Sequence, residues 1–332
     1  PDLLTKRSWN FLLVYMGLRM GVEDLSPLKG ATPGEIQIIQ GRKQLVELEG
    51  AFPNQPMVTK QQWAAIRSYI LTAAPKVALP QPEKPKLHVG LDLFEERPHA
   101  YNYKTPITSM IHIDERNKEV LIGDSGYQRL TALDKNLKVQ TDYATKGFLW
   151  VKALSSGDGL HLLSIGDLMG GRANQKLGKV SFGIRRGTTY ANKGIALDKL
   201  HRPADMAFGD FDKDGRNELV VCNFGFGTGS VDIHKAKANG WQFEQKPAVT
   251  LTNEPGAVDC EVADFNNDGL PDVAALFGGA RENMSLFLNQ GIWKFERKLL
   301  VQKLSEFGYV GFRWVHFDGE GDIDVYTIIG DN

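Results

Sequence analysis

A short acidic loop occurs three times in the chain after residue 209, and it constrains the fold more than any other feature. The copies read DFDKDGRNE at 210–218, DFNNDGLPD at 264–272 and HFDGEGDID at 316–324. Their central glycines, Gly215, Gly269 and Gly321, lie 54 and 52 residues apart. A nearly constant period of this length is the signature of a repeat architecture, in which each repeat is one supersecondary unit.

The first two loops place oxygen-bearing side chains on alternate residues around a glycine. Carboxylates or amides stand at loop positions 1, 3, 5 and 9, and glycine stands at position 6. A hard cation such as Ca²⁺ takes about six to eight oxygen ligands, and glycine permits the sharp turn that brings them to one point. The same residue types also favour turns without a metal, so that alternative stays open for each loop.

The flanks of these loops decide between two kinds of calcium loop. An EF-hand loop opens in the same way, but it carries glutamate at position 12 and lies between two helices. Here position 12 is Val221 in the first loop and Ala275 in the second, and the following runs are 219–221 and 273–276. Short runs rich in Val and Leu are typical of strands. The sequence therefore predicts calcium loops inside β-hairpins.

These segments resemble the FG-GAP/VCBS repeats of integrin-α-like β-propellers. Besides the acidic loops, the resemblance rests on the Phe-Gly pairs at 224–225 and 277–278 and on the strand-turn-strand sequence LFLNQGIWKF at 286–295. It implies a mainly β fold, in which residues 87–332 form a propeller of such repeats. In that family the side chains at loop positions 1, 3, 5 and 9 and the carbonyl at position 7 bind calcium. The ligands so implied are Asp210, Asp212, Asp214, the Arg216 carbonyl and Glu218 in the first loop, and Asp264, Asn266, Asp268, the Leu270 carbonyl and Asp272 in the second.

The third loop departs from the family pattern at its first position. His316 stands where the family has aspartate, and imidazole is a poor ligand for a hard cation. The resemblance implies a weaker third site, with occupancy left open, built from Asp318, Glu320, the Asp322 carbonyl and Asp324.

Two earlier segments continue the repeat in a degenerate form. Projecting the period backwards from Gly215 reaches 154–163, which keeps the turn glycine and the following strand but has lost most carboxylates, and then 112–121, which keeps the same shape. In the earlier segment Asn117 takes the place of the glycine and is expected to adopt the left-handed conformation. We predict about five blades, of which these two bind no calcium. Because propellers protect their edges by closing the ring, we also expect a larger ring, completed by further sequence or by a second chain.

Residues 1–74 lack the repeat and are predicted to be helical. Capping boxes at Thr32–Glu35 and Thr59–Gln62 predict helices to about residues 49 and 73. This segment weakly resembles the latter part of a c-type cytochrome domain, through QPMVT at 55–59 and the helix that follows; the resemblance implies Met57 as an axial haem ligand. No Cys-x-x-Cys-His occurs in the sequence, so covalent haem attachment would require that motif before Pro1. Four prolines in residues 75–86 predict a stiff linker.

Composition excludes one function class and leaves others open. The chain has 39 basic and 40 acidic residues, so it has no net charge that would attract nucleic acid. No apolar run is long enough to predict a transmembrane segment. Cys222 and Cys260 form no metal pattern and are predicted to be buried, or to form one disulfide.

The sequence therefore favours a calcium-binding β-propeller that acts as a binding or assembly module for a protein or glycan partner. Calcium would have a structural role, and the protein would be extracellular, periplasmic or on the cell surface, where calcium is plentiful. Two alternatives stay open: an electron-transfer protein carrying haem c on the helical domain, and a propeller-based polysaccharide-active enzyme, although no catalytic motif is present.

Overall fold

The structure is a computed structural model that describes residues 4–48, 53–80, 104–145, 149–167, 175–225, 228–279, 282–303, 308–315 and 324–330. The chain divides into two compact units, Pro1–Arg97 and Pro98–Asn332. Residues 75–80 form neither helix nor strand. The rest of the predicted linker, residues 81–86, lies outside the described residues.

The first unit contains three α-helices: α1 (Lys6–Arg19), α2 (Pro33–Leu48) and α3 (Lys60–Ala73). The two predicted capping boxes are present. The Thr32 amide donates to Glu35 Oε2 over 2.7 Å, and the Thr59 amide donates to Gln62 Oε1 over 2.9 Å. These side chains satisfy amides that have no partner inside the helix. Within the described residues, no helix combines the length and apolarity that crossing a membrane requires.

The second unit is built from antiparallel strands in chain order. Its strands are β1 (Thr108–Asp114), β2 (Glu119–Asp124), β3 (Arg129–Asp134), β4 (Val139–Ala144), β5 (Trp150–Ser156), β6 (Gly159–Ser164), β7 (Gly178–Arg186), β8 (Thr189–Leu200), β9 (Pro203–Gly209), β10 (Glu218–Asn223), β11 (Ser230–His234), β12 (Val249–Thr252), β13 (Ala257–Ala263), β14 (Asp272–Phe277), β15 (Glu282–Asn289), β16 (Phe295–Lys303), β17 (Tyr309–Val315) and β18 (Asp324–Ile329). Sheets β1–β4, β5–β8, β9–β12 and β13–β16 are four-stranded meanders, and β17 pairs with β18. We call these sheets blades 1 to 5.

The described part of the chain is therefore mainly β and arranged as propeller blades, as the resemblance implied. The first strands of successive blades contact one another from β1 through β5, β9 and β13 to β17. Each of them carries a register shift after its first residue. Such a bulge re-aims the residue that follows it, so the five blades repeat one local geometry at this strand.

Apolar clusters fill the spaces between neighbouring blades. Val220, Val231 and Ile233 of blade 3 pack with Val273 and Phe277 of blade 4. Cys222 and Cys260 belong to the same cluster; both are buried and free, as small core residues are. The prediction that they are buried is confirmed, and they form no disulfide in this structure.

The degenerate loops of blades 1 and 2 are tight hairpins. In blade 2, Gly157 has a φ of 58° and keeps the predicted turn. In blade 1 the prediction for Asn117 is wrong, because the positive φ, 52°, belongs to Lys118. Asn117 instead donates from its side-chain amide to Asp114 Oδ2 over 2.8 Å. This hydrogen bond within its own turn decides the conformation of Asn117.

Candidate metal centre

The first acidic loop connects β9 to β10 and brings three carboxylates together. One oxygen each from Asp210, Asp212 and Glu218 lies within 4.8 Å of the others. Among the described residues, no other group of three or more His, Cys, Asp or Glu side chains is placed to hold a metal ion. Carboxylate oxygens are the ligands that Ca²⁺ and Mg²⁺ prefer.

The loop folds around its own side chains and its glycine. The Gly215 amide donates to Asp210 Oδ2 over 3.0 Å, and the Phe211 amide donates to Glu218 Oε2 over 2.9 Å. Lys213 and Gly215 have φ values of 56° and 85°. These left-handed residues turn the chain back within a few positions, so residues at both ends of the loop face one point.

Two oxygens of this group are buried without a hydrogen-bond partner, Asp210 Oδ1 and Glu218 Oε1. Glu218 has no exposed surface. Burial raises the pKa of its carboxyl group, and the neighbouring charge of Asp212 adds to the rise. A buried carboxylate oxygen with no partner is costly. The donor set therefore fits a bound cation, which would satisfy both oxygens at once.

Two basic side chains contact the loop, and the sequence interpretation missed one of them. Lys235, directly after β11, forms an ion pair with Asp212 and lies 3.8 Å from Asp214. Arg216 pairs with Asp214 over 2.5 Å, and this bond lowers the pKa of Asp214. Asp214 thus faces Arg216 and stands outside the three-carboxylate group. Lys235 reaches the loop because β11 pairs with β10. The loop motif does not reveal this pairing, so it could not predict the contact of Lys235.

The second acidic loop, between β13 and β14, has the same backbone shape. The Gly269 amide donates to Asp264 Oδ2 over 2.7 Å, and the Asp268 amide donates to Asn266 Oδ1 over 3.0 Å. Asn267 and Gly269 have φ values of 59° and 83°. These values match the first loop closely, so the two motifs specify one turn geometry.

The buried acid at position 9 of the second loop, Asp272, has both carboxylate oxygens occupied. The Phe265 amide donates to Oδ2 over 3.0 Å, and the Asn289 amide donates to Oδ1 over 2.7 Å. Asp264, Asp268 and Asp272 are not brought together as the three acids of the first loop are. Metal binding by the second loop, and by the carbonyls of Arg216 and Leu270, stays a prediction.

Two further predicted sites are the third acidic loop and Met57. Asp318, Glu320 and Asp322 of the third loop lie outside the described residues, and Asp324 is the half-buried first residue of β18. The side chain of Met57 is 72% exposed, and its amide donates to the Met20 carbonyl over 2.9 Å. Its role as a haem ligand stays a prediction.

Comparison with known proteins gives one family match and several similar solved structures. Residues 210–275 match the family described as an FG-GAP-like repeat. No sequence among the curated proteins matches the chain. Similar solved structures include the Kuenenia stuttgartiensis hydrazine synthase, which is 12% identical with a TM-score of 0.46 over 70% of this chain and 59% of that one.

Two other solved structures are similar to this chain over part of its length. The Dos1 propeller is 11% identical with a TM-score of 0.39 over 58% of this chain and 47% of that one. Saccharomyces cerevisiae Sqt1 is 9% identical with a TM-score of 0.42 over 65% and 54%. The chain thus spans about half of the length of the structures that it matches. Residues 210–275, which match the FG-GAP-like repeat, hold both described acidic loops and lie in blades 3 and 4.

Proposed function

We propose that this protein is a calcium-stabilised β-propeller that acts as a binding or assembly module outside the cytosol. The observation that carries the proposal is the convergence of Asp210, Asp212 and Glu218 with two buried, unpartnered oxygens. Calcium there would cross-link the two ends of the β9–β10 hairpin. Its role is structural, because it would hold the strands while binding surfaces lie on other loops.

The FG-GAP-like propeller fold supports the role of a binding or assembly module. A ring of blades presents many loops on a rigid scaffold, and binding residues concentrate on such loops. The partner class that we propose is a protein or a glycan. The expected location follows from calcium chemistry, since loops of extracellular modules bind Ca²⁺ with dissociation constants of about 0.1–1 mM and are filled only where calcium is plentiful.

The test is a calcium titration of the whole chain followed by heat denaturation. With a dissociation constant of about 0.1 mM, 10 mM Ca²⁺ would stabilise the folded state by about 2.7 kcal/mol. That gain corresponds to a rise in Tm of roughly 5–10 °C for a domain of this size. Chelator should reverse the rise. If calcium changes neither the Tm nor the heat of a calorimetric titration, the metal proposal is wrong.

A further inference from the structure

The first strands of all five blades line one cavity of about 500 Å³, which we call the axial cavity. Lining residues come from β1, β5, β9, β13 and β17. Small-molecule sites usually occupy about 300–1,000 Å³ and place a few polar groups among apolar walls. The size and position of the axial cavity match that description, and it is separate from the acidic loops.

Four successive blades each contribute one charged side chain to the axial cavity: Lys152, Asp205, Asp259 and Arg313. Lys152 Nζ lies 2.7 Å from Asp205 Oδ1, and Arg313 Nη1 lies 3.0 Å from Asp259 Oδ2. Asp205 and Asp259 are neighbours, and Asp259 contributes to the raised pKa of Asp205. A cation therefore stands at each end of a central pair of acids.

The pair of acids is part of the framework. The Cys260 amide donates to Asp205 Oδ2, and the Phe312 amide donates to Asp259 Oδ2, each over 3.0 Å. Each aspartate thus ties its blade to the next one. Burial raises the pKa of Asp205 to about 7, with a contribution from the neighbouring Asp259 and against the opposing effect of Lys152. Asp205 therefore gains a proton as the pH falls through about 7.

The two cations keep donors that the protein does not use. Among the described residues, the contacts of Arg313 run through Nη1, so Nε and Nη2 have no partner there. The contact of the Lys152 ammonium is with Asp205. The Arg313 and Lys152 side chains are 55% and 28% exposed. Arg313 Nη1 also lies 3.3 Å from Glu261 Oε1.

An apolar wall stands beside these cations. Ile111 and Ile113, which alternate on β1, line the cavity and are 67% and 66% exposed. Val151 and Val258 complete this wall from the neighbouring strands. Exposed β-branched side chains at a cavity gain about 25 cal/mol for each Å² that an apolar ligand covers.

We propose that the axial cavity binds a small monocarboxylate with an apolar body. The free edge of the Arg313 guanidinium matches a carboxylate with two parallel hydrogen bonds, and Lys152 adds a third donor. The apolar body covers Ile111 and Ile113. This site is independent of calcium and of the acidic loops.

The first test compares three probes of the same length on the whole protein by isothermal titration calorimetry at about pH 6. Hexanoate should bind, whereas hexanol should bind at least about tenfold more weakly because it lacks the charge-assisted hydrogen bonds. Hexylamine should not bind. Equal binding of hexanol and hexanoate, or no binding of hexanoate to folded protein, would overturn the proposal.

The second test uses variants of the cation. Arg313→Gln should weaken hexanoate binding at least about tenfold, and Arg313→Lys should give an intermediate value because lysine keeps the charge but loses the two-pronged geometry. Arg129→Gln removes an arginine that pairs with Asp142 in blade 1 and should leave binding unchanged. Heat denaturation of each variant checks that it is folded. Unchanged binding in folded Arg313→Gln would contradict the assignment.

The third test uses pH. The other titratable or charged groups that face the pair of acids are His112, Lys152, Cys222, Cys260, Glu261 and Arg313. Burial lowers the pKa of His112 and raises that of Cys222, so both are neutral near pH 7. Raising the pH through about 7 removes the proton of Asp205 and adds a negative charge, so hexanoate binding should weaken between about pH 6 and pH 8.5. Asp205→Asn should abolish this pH dependence, and a retained dependence would contradict the proposal.

Discussion

The acidic loops of blades 3 and 4 share one turn geometry but use the buried acid at position 9 in opposite ways. Glu218 leaves Oε1 buried without a hydrogen-bond partner, whereas Asp272 receives a backbone amide on each oxygen. The same motif therefore produces one loop whose buried acid lacks a hydrogen-bond partner on one oxygen, and one loop whose buried acid has a partner on both oxygens. The difference shows that the motif specifies the turn, and that the surroundings decide how much a bound metal would stabilise the loop.

Blade 1 has a third version of this buried acid. Glu119, the first residue of β2, is buried; it accepts a hydrogen bond from the Tyr190 hydroxyl over 2.5 Å and pairs with Arg185. Blade 2 has Gly159 at the start of its second strand and avoids the acid altogether. A buried carboxylate is kept where something compensates its charge. Arg185 does so in blade 1, where Glu119 Oε2 is also buried without a hydrogen-bond partner, and amides do so in blade 4. In blade 3 a bound cation would take this part.

The largest expected effect is on calcium binding by the first loop. Glu218→Gln should weaken calcium binding by about 100-fold, because the charge of the ligands sets the affinity for Ca²⁺. With chelator present, the same variant should be as stable as the wild type or more stable, since burial disfavours the ionised Glu218 carboxyl group. Calcium titration calorimetry and heat denaturation in chelator measure the two effects.

A conservative control separates the charge from the size of this side chain. Glu218→Asp keeps the charge but shortens the side chain, and it should retain weak calcium binding. If Glu218→Gln binds calcium as tightly as the wild type, the three-carboxylate group is not the metal site.

The second prediction concerns stability without metal. Asp272→Asn should destabilise the chelated protein by about 1–3 kcal/mol, because an amide nitrogen would then face a backbone N–H and one donor would lose its acceptor. The free energy of unfolding from urea denaturation in chelator measures this loss. If Asp272→Asn is no less stable than Glu218→Gln in chelator, the two buried acids do not differ in this way.

The sequence predicts the shared part of these loops well and the differing part poorly. The acid and glycine spacing and the flanking runs were enough to predict the turns and the strands, and the resemblance to FG-GAP/VCBS repeats implied the propeller blades. It could not predict that Asn289, 17 residues beyond Asp272, donates to that acid, or that Lys235 pairs with Asp212. Both contacts depend on the neighbouring strand of the blade. The axial cavity was missed for the same reason, since Lys152, Asp205, Asp259 and Arg313 come from four blades and share no local motif.

The third prediction tests what the loops have in common. Gly215 and Gly269 have φ values of 85° and 83°, and an added Cβ would meet no atom within 4 Å at either position. Replacing either by alanine should therefore cost only the strain of the left-handed backbone, about 1 kcal/mol in each case. Urea denaturation in chelator measures both. Unequal losses would mean that the two turns are not equivalent.

The smallest expected effect concerns the cation that already contacts the first loop. The Lys235 side chain is 39% exposed, so its ion pair with Asp212 contributes at most about 1 kcal/mol. Calcium must displace it, and Lys235→Gln should therefore tighten calcium binding by up to about fivefold. Lys246→Gln removes an exposed lysine of the same blade and should have no effect. Because salt screens an exposed pair, the difference should shrink as ionic strength rises. Weaker calcium binding by Lys235→Gln would show that the lysine supports the metal site and does not compete with it.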